Sequence, residues 1–184
     1  MIIDLKGLID DDLIYTYFSH KVEHAKSANP PYNSPIKKDG YSGYDFYGDY
    51  LTIISHLKIT PHVSKIVNKE IIPSFCFTRM YFNESTLNVH RDRKACEFTV
   101  SHCHYGEPWK IYILEDEFIT KTGTSICYEG IDKSHGRVTP LTHKALYSFY
   151  FWVEKDGKYD EFRYDEEPKM EKIYKQLALD KSYI

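Results

Sequence analysis

The sequence has few cysteines, no cysteine pair with metal-binding or redox spacing, and no long apolar run. Its four cysteines form no CxxC pair and no dense disulfide framework, so we expect free, mostly buried thiols. No segment approaches the roughly 18 apolar residues that span a bilayer, and acidic residues interrupt the N-terminal region where a signal peptide needs an apolar core. We therefore expect a cytoplasmic protein with no membrane partner.

A strong excess of basic charge is also missing. The formal net charge is −3 and no long Lys/Arg run occurs, so the basic stripe typical of nucleic-acid binders is absent and we expect no nucleic-acid partner. The 184 residues suffice for one domain with a core, and we expect a single domain over residues 1–184. The 17 tyrosines and 10 phenylalanines favour a β-rich core.

Residues 1–70 have the patterns of helices and loops that support a sheet. Apolar residues recur at helical spacing from Asp10 to about Lys26, which predicts an opening helix. The segment Ser27–Tyr47 is rich in proline, glycine and tyrosine and predicts a loop, either an ordinary surface loop or a lid over a substrate. Asp49 to about Lys69 predicts two helical pieces separated at Pro61.

Residues 74–154 have the pattern of an antiparallel β core. Short aromatic and β-branched runs such as SFCFTRMYF, CEFTVSHCHY and ALYSFYFWV alternate with glycine, proline and charge clusters. Residues 155–184 form a C-terminal extension, in which 167–179 predict a short helix. The fold class is therefore α+β and mainly β.

Cys103 lies between His102 and His104, a spacing that raises the question of zinc. On a strand, alternate side chains point to opposite faces, so the cysteine and the two histidines are separated. We therefore do not expect these three residues to form one zinc site.

The stretch NVHRDRKACEF contains His90-Arg91-Asp92, which has the letters of a kinase catalytic loop. Such a loop needs an asparagine five residues after the aspartate, a glycine-rich phosphate loop and a downstream Asp-Phe-Gly. Position 97 is glutamate, and the other two motifs are absent from the sequence. The kinase interpretation therefore fails.

A metal site is the better interpretation of this stretch. Residues two apart at the end of a strand face the same side, so His90 and Asp92 can bind one ion while Arg91 points away. His135, in the segment SHGRVTP, is the candidate third ligand. Two imidazoles and one carboxylate on one side of a divalent metal are the ligand set of non-haem Fe(II) oxygenases.

From Phe77 to Val153 the sequence resembles the 2-oxoglutarate- and Fe(II)-dependent oxygenases, the prolyl-hydroxylase-like superfamily, and particularly its small phage-type members. The matching pieces are FTRMYFNESTLNVHRDRKACE, EPWKIYI, GTSICYEG and SHGRVTP, in this order. The resemblance implies a double-stranded β-helix of jelly-roll or cupin type, with flanking N-terminal helices and a short C-terminal helix. A viral member would act in the host cytoplasm.

The resemblance also implies roles for individual residues. His90, Asp92 and His135 would be the catalytic metal ligands, and Tyr81 lies where such enzymes place a co-substrate tyrosine. The far carboxylate of 2-oxoglutarate needs a cation. The family usually has Arg or Lys about six residues beyond the proline after the distal histidine, but an ungapped alignment puts Leu146 there. The remaining candidates for co-substrate binding are Arg137, which matches the His-x-Arg of phage-type relatives, Lys144 and Arg79, although Arg79 also suits a structural ion pair.

The function that follows is a dioxygenase that uses Fe(II), O2 and 2-oxoglutarate to hydroxylate an aliphatic C–H bond of a peptide or protein residue or of a small molecule. The sequence leaves two alternatives open. One is a cupin-like metal-binding enzyme or binding protein that does not use 2-oxoglutarate, and the other is an interaction module with a vestigial triad. Neither the primary substrate nor the oligomeric state can be read from the sequence.

Overall fold

Two antiparallel sheets form the centre of the chain. The computed structural model describes residues 1–27, 36–38, 40–165, 171–173 and 175–176. Within these residues a seven-stranded major sheet has the order β1-β9-β6-β11-β4-β3-β2, and a four-stranded minor sheet has the order β5-β10-β7-β8. The strands are β1 (Ile2–Ile3), β2 (Ile36–Lys38), β3 (Tyr41–Tyr47), β4 (Ile71–Tyr81), β5 (Leu87–His90), β6 (Phe98–Tyr105), β7 (Trp109–Ile113), β8 (Asp116–Thr120), β9 (Ser125–Tyr128), β10 (His135–Arg137) and β11 (Ala145–Glu154).

From β4 onward the chain passes repeatedly between the two sheets. β4, β6, β9 and β11 belong to the major sheet, and β5, β7, β8 and β10 to the minor sheet. This alternation is the arrangement of a jelly-roll, and it confirms the predicted double-stranded β-helix. The β core, predicted over residues 74–154, extends over 71–154 in the structure.

The pleat of β11 separates two environments. Tyr147, Phe149 and Phe151 belong to the apolar cluster between the sheets, whereas Leu146 and Trp152 belong to clusters on the helix side. Because successive side chains of a strand point to opposite faces, each strand of the major sheet contributes to both layers.

Helices α1 (Asp11–Ser27) and α2 (Tyr50–Val67) cover the outer face of the major sheet. The opening helix agrees with its prediction to within one residue at each end. The prediction of two pieces around Pro61 is wrong, because α2 continues through that proline. A proline inside a helix costs about 3 kcal/mol, and the packing of the buried side chains Ile53, Ile59 and Val63 against β4 and β11 offsets this cost.

The loop prediction for Ser27–Tyr47 is wrong over two parts, because 36–38 form strand β2 and 41–47 form strand β3. This strand pairs with β4 from Gly43, opposite Tyr81, to Tyr47, opposite Phe77. A Cβ at Gly43 would lie 2.0 Å from the carbonyl oxygen of Met80, so this glycine permits close strand pairing and is not a hinge. Positions 28–35 and 39 of the predicted lid lie outside the described residues.

The C-terminal extension begins with a 3₁₀ turn at Asp160–Phe162. Residues 171–173 and 175–176 are helical, in agreement with the predicted C-terminal helix, and the other positions of that helix lie outside the described residues. Within the described residues no helix combines the length and apolar character needed to cross a bilayer.

A buried polar network joins α1 to the outer face of the major sheet. His102 and His104 both contact the carboxylate of Asp11, while Cys103 belongs to the apolar cluster between the sheets. The predicted separation of the cysteine from the two histidines is therefore confirmed. Burial opposes ionisation of Asp11, but hydrogen bonds from the two imidazoles outweigh it and hold its pKa well below the ordinary value. Burial also lowers the pKa of His104 to about 4.

The packing of α2 can be tested with two adjacent isoleucines. Ile53 is 0% exposed and Ile54 is 37% exposed, so Ile53→Ala should lower the free energy of unfolding by about 2–5 kcal/mol, and Ile54→Ala by less than about 1 kcal/mol. Chemical denaturation of the two variants measures the difference. Equal losses would contradict the assignment of the buried face.

Candidate metal centre and cavity

His90, Asp92 and His135 converge at one end of the space between the sheets. β5 ends at His90 and β10 begins at His135, and the two residues are register partners in the minor sheet. Asp92 follows just beyond the end of β5, where a two-residue step returns its side chain to the side of His90. The minor sheet thus brings the His90/Asp92 pair close to His135, as the sequence predicted.

The three side chains have the spacing of a metal site. His90 Nε2 lies 3.5 Å from Asp92 Oδ1, and His135 Nε2 lies 3.6 Å from the same oxygen. Ligand atoms bound to one ion at about 2.1 Å are about 3–3.5 Å apart. The three atoms can therefore hold a divalent ion after only small adjustments.

Backbone carbonyls fix the orientation of both imidazoles. Nδ1 of His90 is 2.8 Å from the carbonyl oxygen of Asn88, and Nδ1 of His135 is 2.9 Å from that of Lys133. A carbonyl oxygen can only accept, so Nδ1 carries the proton in each ring. Each Nε2 is then left with the lone pair that a metal needs.

Gly130 positions the carboxylate of the triad. The backbone N–H of Asp92 donates to the carbonyl oxygen of Gly130 at 2.9 Å, and Thr99 Oγ1 donates to Asp92 Oδ2 at 3.3 Å. A Cβ at position 130 would lie 2.3 Å from Asp92 Oδ2. The carboxylate thus occupies space that only a glycine leaves open.

The environments of the two histidines differ. The side chain of His135 is 3% exposed and that of His90 is 39% exposed. Burial lowers the pKa of His135, although the charge of Asp92 acts in the opposite direction. Burial therefore favours the neutral form of His135, which is the form in which imidazole binds metals.

The triad opens onto a cavity of about 730 Å³. One wall consists of stacked rings contributed by adjacent strands: Phe75 stacks on Phe151 at 4.3 Å, and Phe77 stacks on Phe149 at 4.9 Å between ring centroids. This volume lies within the range typical of small-molecule sites, which are mostly apolar with a few polar groups.

Arg137 lies buried in the same cavity, with 1% of its surface exposed. Its Nη1 donates to the carbonyl oxygens of Trp109 and Lys110 at 3.2 and 3.4 Å and to Thr120 Oγ1 at 3.0 Å. The guanidinium lies over the rings of Trp109 and Tyr147, with its carbon 4.4 and 4.6 Å from their centroids. Nη2 is buried without a hydrogen-bond partner, and no carboxylate of the described residues forms an ion pair with Arg137.

Arg79 is in a different situation, because it has a carboxylate partner. Its Nε and Nη2 donate to the two oxygens of Asp45 at 2.5 and 2.7 Å, and Tyr41 Oη donates to Asp45 at 3.0 Å. The charge of Arg79 is therefore balanced within the fold, as expected of a structural ion pair. Its Nη1 also donates to Tyr81 Oη at 3.3 Å, and the fully buried Tyr81 lines the cavity.

Lys144 does not join the other candidate residues. It is exposed, and its Nζ lies over the rings of Tyr15 and Tyr105, 5.3 and 5.8 Å from their centroids. It lines a separate groove with Phe82. Leu146 is fully buried on the helix side of β11, so a basic residue at this position would point away from the cavity.

Four residues that shape the site were missed by sequence reasoning: Asp45, Thr120, Gly130 and Tyr128, whose ring centroid is 4.7 Å from that of His135. Asp45 would have been found if YSGYDFY had been recognised as a strand, since it is four residues from the inward-facing Tyr41 and therefore lies on the same face. The remaining three act through contacts with residues distant in the sequence. Only their positions at the ends of strand-like runs could have drawn attention to them.

Comparisons with known proteins concern the fold. No family model and no curated protein matches this chain. Solved structures do match, among them an oxidoreductase of the 2OG-Fe(II) oxygenase family from Burkholderia pseudomallei, with 12% identity and a TM-score of 0.59 over 83% of this chain and 84% of that chain. The viral collagen prolyl hydroxylase of Paramecium bursaria Chlorella virus-1, in complex with 2OG, matches with 13% identity and a TM-score of 0.56 over 83% and 94%.

A third match is HygX from Streptomyces hygroscopicus with nickel and 2-oxoglutarate bound. It shares 10% identity with this chain and has a TM-score of 0.58 over 84% of this chain and 82% of that chain. At such low identity the likeness concerns the path of the chain and not its chemistry. This protein therefore has the double-stranded β-helix fold and is similar in architecture to structures of 2OG-Fe(II) oxygenases.

Proposed function

We propose that the protein is an Fe(II)- and 2-oxoglutarate-dependent dioxygenase that hydroxylates an aliphatic C–H bond of a peptide or protein residue or of a small molecule. In the overall reaction, O2, 2-oxoglutarate and R–H give succinate, CO2 and R–OH. One oxygen atom enters succinate and the other enters the product. The structures of similar fold support this class of reaction, since two of them contain 2-oxoglutarate and one of these also contains nickel.

The observation that carries the proposal is the buried guanidinium of Arg137 in the cavity of the triad. An uncompensated buried charge costs several kcal/mol, and Arg137 has neither an ion-pair partner among the described residues nor a hydrogen bond to Nη2. A carboxylate bound at Nη2 would offset this cost. A dicarboxylate with one end at the triad and the other at Arg137 fits these requirements.

The triad fits Fe(II). Two imidazole nitrogens and one carboxylate oxygen occupy one side of the site, and the other side faces the cavity. Fe(II) held there by His90, Asp92 and His135 would supply the oxidising chemistry with O2, using electrons from the decarboxylation of 2-oxoglutarate. The protein contributes the fixed ring tautomers, the carboxylate charge and the open side.

Hydroxyl groups near Arg137 complete the expected carboxylate site. Tyr81 Oη accepts a hydrogen bond from Arg79, so its own proton is available to a ligand. Thr120 Oγ1 is 2.8 Å from Tyr147 Oη and donates to the carbonyl of Trp109. Thr120 holds Arg137 in place and Arg79 holds Tyr81 in place before a ligand binds. This preorganisation reduces the entropy cost of ordering the side chains on binding.

The aromatic wall would exclude water from the reacting end of the cavity. Phe75, Phe77, Phe149 and Phe151 line it and are at most 8% exposed. A dry pocket strengthens the interactions of the carboxylate with Arg137 and protects reactive species from side reactions.

A metal-binding protein of the same fold that does not use 2-oxoglutarate is the alternative. It would explain His90, Asp92 and His135 equally well. It gives no reason for a buried cation in the same cavity, and for this reason we prefer the oxygenase.

The metal assignment predicts the effect of removing the carboxylate. Asp92→Ala should weaken Fe(II) binding by at least about a hundredfold, more than the ~10–100-fold typical of losing an outer-shell partner, and should abolish turnover while the fold persists. Anaerobic Fe(II) titration, with and without 2-oxoglutarate, measures this through the visible charge-transfer band of the ternary complex.

Asp116→Ala is the matched control, because Asp116 is an exposed carboxylate on β8. Unchanged Fe(II) affinity in Asp92→Ala would overturn the metal assignment. Fe(II) binding by the unsubstituted protein without the charge-transfer band would favour the alternative function, and no Fe(II) binding at all would favour the interaction module.

If Arg137 binds the far carboxylate of 2-oxoglutarate, substitution of Arg137 should affect co-substrate binding more than substitution of Lys144. Arg137→Ala should raise the apparent KM for 2-oxoglutarate at least about tenfold, equivalent to about 1.4 kcal/mol for a lost charge-assisted contact, whereas Lys144→Ala should leave it unchanged. Initial rates at varied 2-oxoglutarate concentration provide the measurement.

Arg137→Lys is the second variant, in case Arg137→Ala fails to fold. Lysine keeps the charge but cannot form a bidentate contact, so this variant should also show a raised KM. The reverse ranking of Arg137 and Lys144 would transfer the role to Lys144. No effect from either residue would point to Arg79 or to another co-substrate.

A further inference from the structure

A second group of metal-binding side chains lies on the outer face of the major sheet. Asp11, His102 and His104 each offer one ligand atom, and these atoms lie within 4.8 Å of one another. None of the three lines the cavity of the first triad. The group connects the first turn of α1 to β6.

The two imidazoles direct one nitrogen each at the same carboxylate oxygen. His102 Nε2 is 2.7 Å and His104 Nδ1 is 2.8 Å from Asp11 Oδ1, and the ring centroids are 4.6 Å apart at an interplanar angle of 66°. The side chain of Asp11 is 24% exposed, so it can withdraw by a fraction of an ångström. A position between the three atoms then becomes available at metal-ligand distances of about 2.0–2.1 Å.

The other nitrogen of each ring has a hydroxyl partner. His102 Nδ1 is 2.7 Å from Ser125 Oγ, and His104 Nε2 is 2.7 Å from Ser148 Oγ, which continues to Thr78 Oγ1 at 2.6 Å. A hydroxyl can donate or accept. The same partners can therefore hold either the tautomer whose N–H donates a hydrogen bond to Asp11 or the tautomer that turns a lone pair toward a metal.

We propose that Asp11, His102 and His104 form a second metal site, which binds a transition-metal dication such as Zn(II) and ties the start of α1 to β6. Two imidazoles and one carboxylate favour Zn(II), Co(II), Ni(II) or Cu(II) over Mg(II) or Ca(II), which prefer oxygen ligands. The serine hydroxyls take the place of the outer-shell acceptors that usually orient metal-bound histidines.

Of the three proposed ligands, Asp11 lines a surface groove, whereas His102 and His104 are 2% and 1% exposed. The groove is lined by Asp10, Asp12, Lys58 and Thr122 together with Asp11. The three carboxylates attract a cation, whereas Lys58 and the positive end of the α1 dipole oppose its binding. A water molecule from the groove would supply the fourth ligand of a tetrahedral site.

The test uses a protein that lacks the first triad's imidazoles. The double variant His90→Ala/His135→Ala is titrated with Co(II), whose visible bands report ligand geometry, and then with Zn(II) in competition. We expect one equivalent to bind. Adding Asp11→Asn should weaken binding at least about tenfold, whereas adding Asp12→Asn, an exposed neighbour, should not.

Folding is followed in the same samples by circular dichroism and thermal unfolding. Zn(II) should raise the unfolding midpoint of the double variant in proportion to its occupancy of the site, and this rise should be lost with Asp11→Asn. Asparagine keeps the size of the side chain and an acceptor oxygen, so the fold should persist. If it does not, His102→Gln, whose amide can still bond Ser125, is the second variant.

Two results would overturn the proposal. One is a folded double variant that binds no Co(II) or Zn(II), which would leave the network as a hydrogen-bonded latch without metal. The other is binding that neither Asp11→Asn nor His102→Gln weakens. Both results are independent of the reaction at the first triad, because the double variant lacks two of its three ligands.

Discussion

The alternation of side chains along β4 and β11 is the constraint on which the rest of the structure depends. These two strands pair over ten register positions at the centre of the major sheet. Their inward residues supply the aromatic wall and Arg79, Tyr81 and Tyr147. Their outward residues pack against the helices and contribute hydroxyl groups to the polar network around Asp11. Since a one-residue slip would exchange the two sets, the cavity and the helix layer are fixed by the same register.

The short strand β10 concentrates the polar chemistry of the cavity. His135 and Arg137 are two residues apart, so both side chains face inward at a backbone separation of about 6.5–7 Å, which is comparable with a five-carbon dicarboxylate. The pairing with β5 shifts between these residues, and irregularities of this kind re-aim side chains next to active sites. Gly136 lies between them, where a Cβ would approach the backbone of β5 to 2.9 Å.

This placement explains why the family pattern around Leu146 does not hold here. A cation on β11 has to lie at an inward position, and Leu146 faces the helices. Arg137 reaches the same space from the opposite sheet. In the proposed function the anchor for a carboxylate is on the strand that carries the proposed metal ligand His135, so the relative position of the two ends of a bound dicarboxylate would depend on one short segment.

Much of the fold and part of the site could be predicted from the sequence. The predicted features depend on local patterns, whereas the missed ones depend on contacts between residues distant in the sequence. The His90/Asp92 pair and the His135/Arg137 pair are local, since strand periodicity alone places both members on one side. The opening helix and the β runs have clear periodicity. The predictions for strand β3 and the continuous helix α2 are wrong. The glycines of the tyrosine-rich segment indicate a loop and Pro61 indicates a helix break, but long-range packing overrides both local signals. Asp45 is 34 residues from its partner Arg79, and Asp11 is 91 and 93 residues from His102 and His104, and no local pattern reveals such pairings.

The two histidine groups differ in how their ring protons are held, and this difference has consequences for metal binding. In the first triad the partners of Nδ1 are carbonyl oxygens, which only accept, so each Nε2 lone pair is directed inward whether or not an ion is bound. In the Asp11 group the partners are serine hydroxyls, which reverse their roles when they rotate. Without metal, its imidazoles can donate hydrogen bonds to Asp11 while their other ring nitrogens accept from the serines. The first triad has no such exchange at Nδ1, so the backbone fixes its tautomers, whereas the tautomers of the Asp11 group follow the rotation of two hydroxyls.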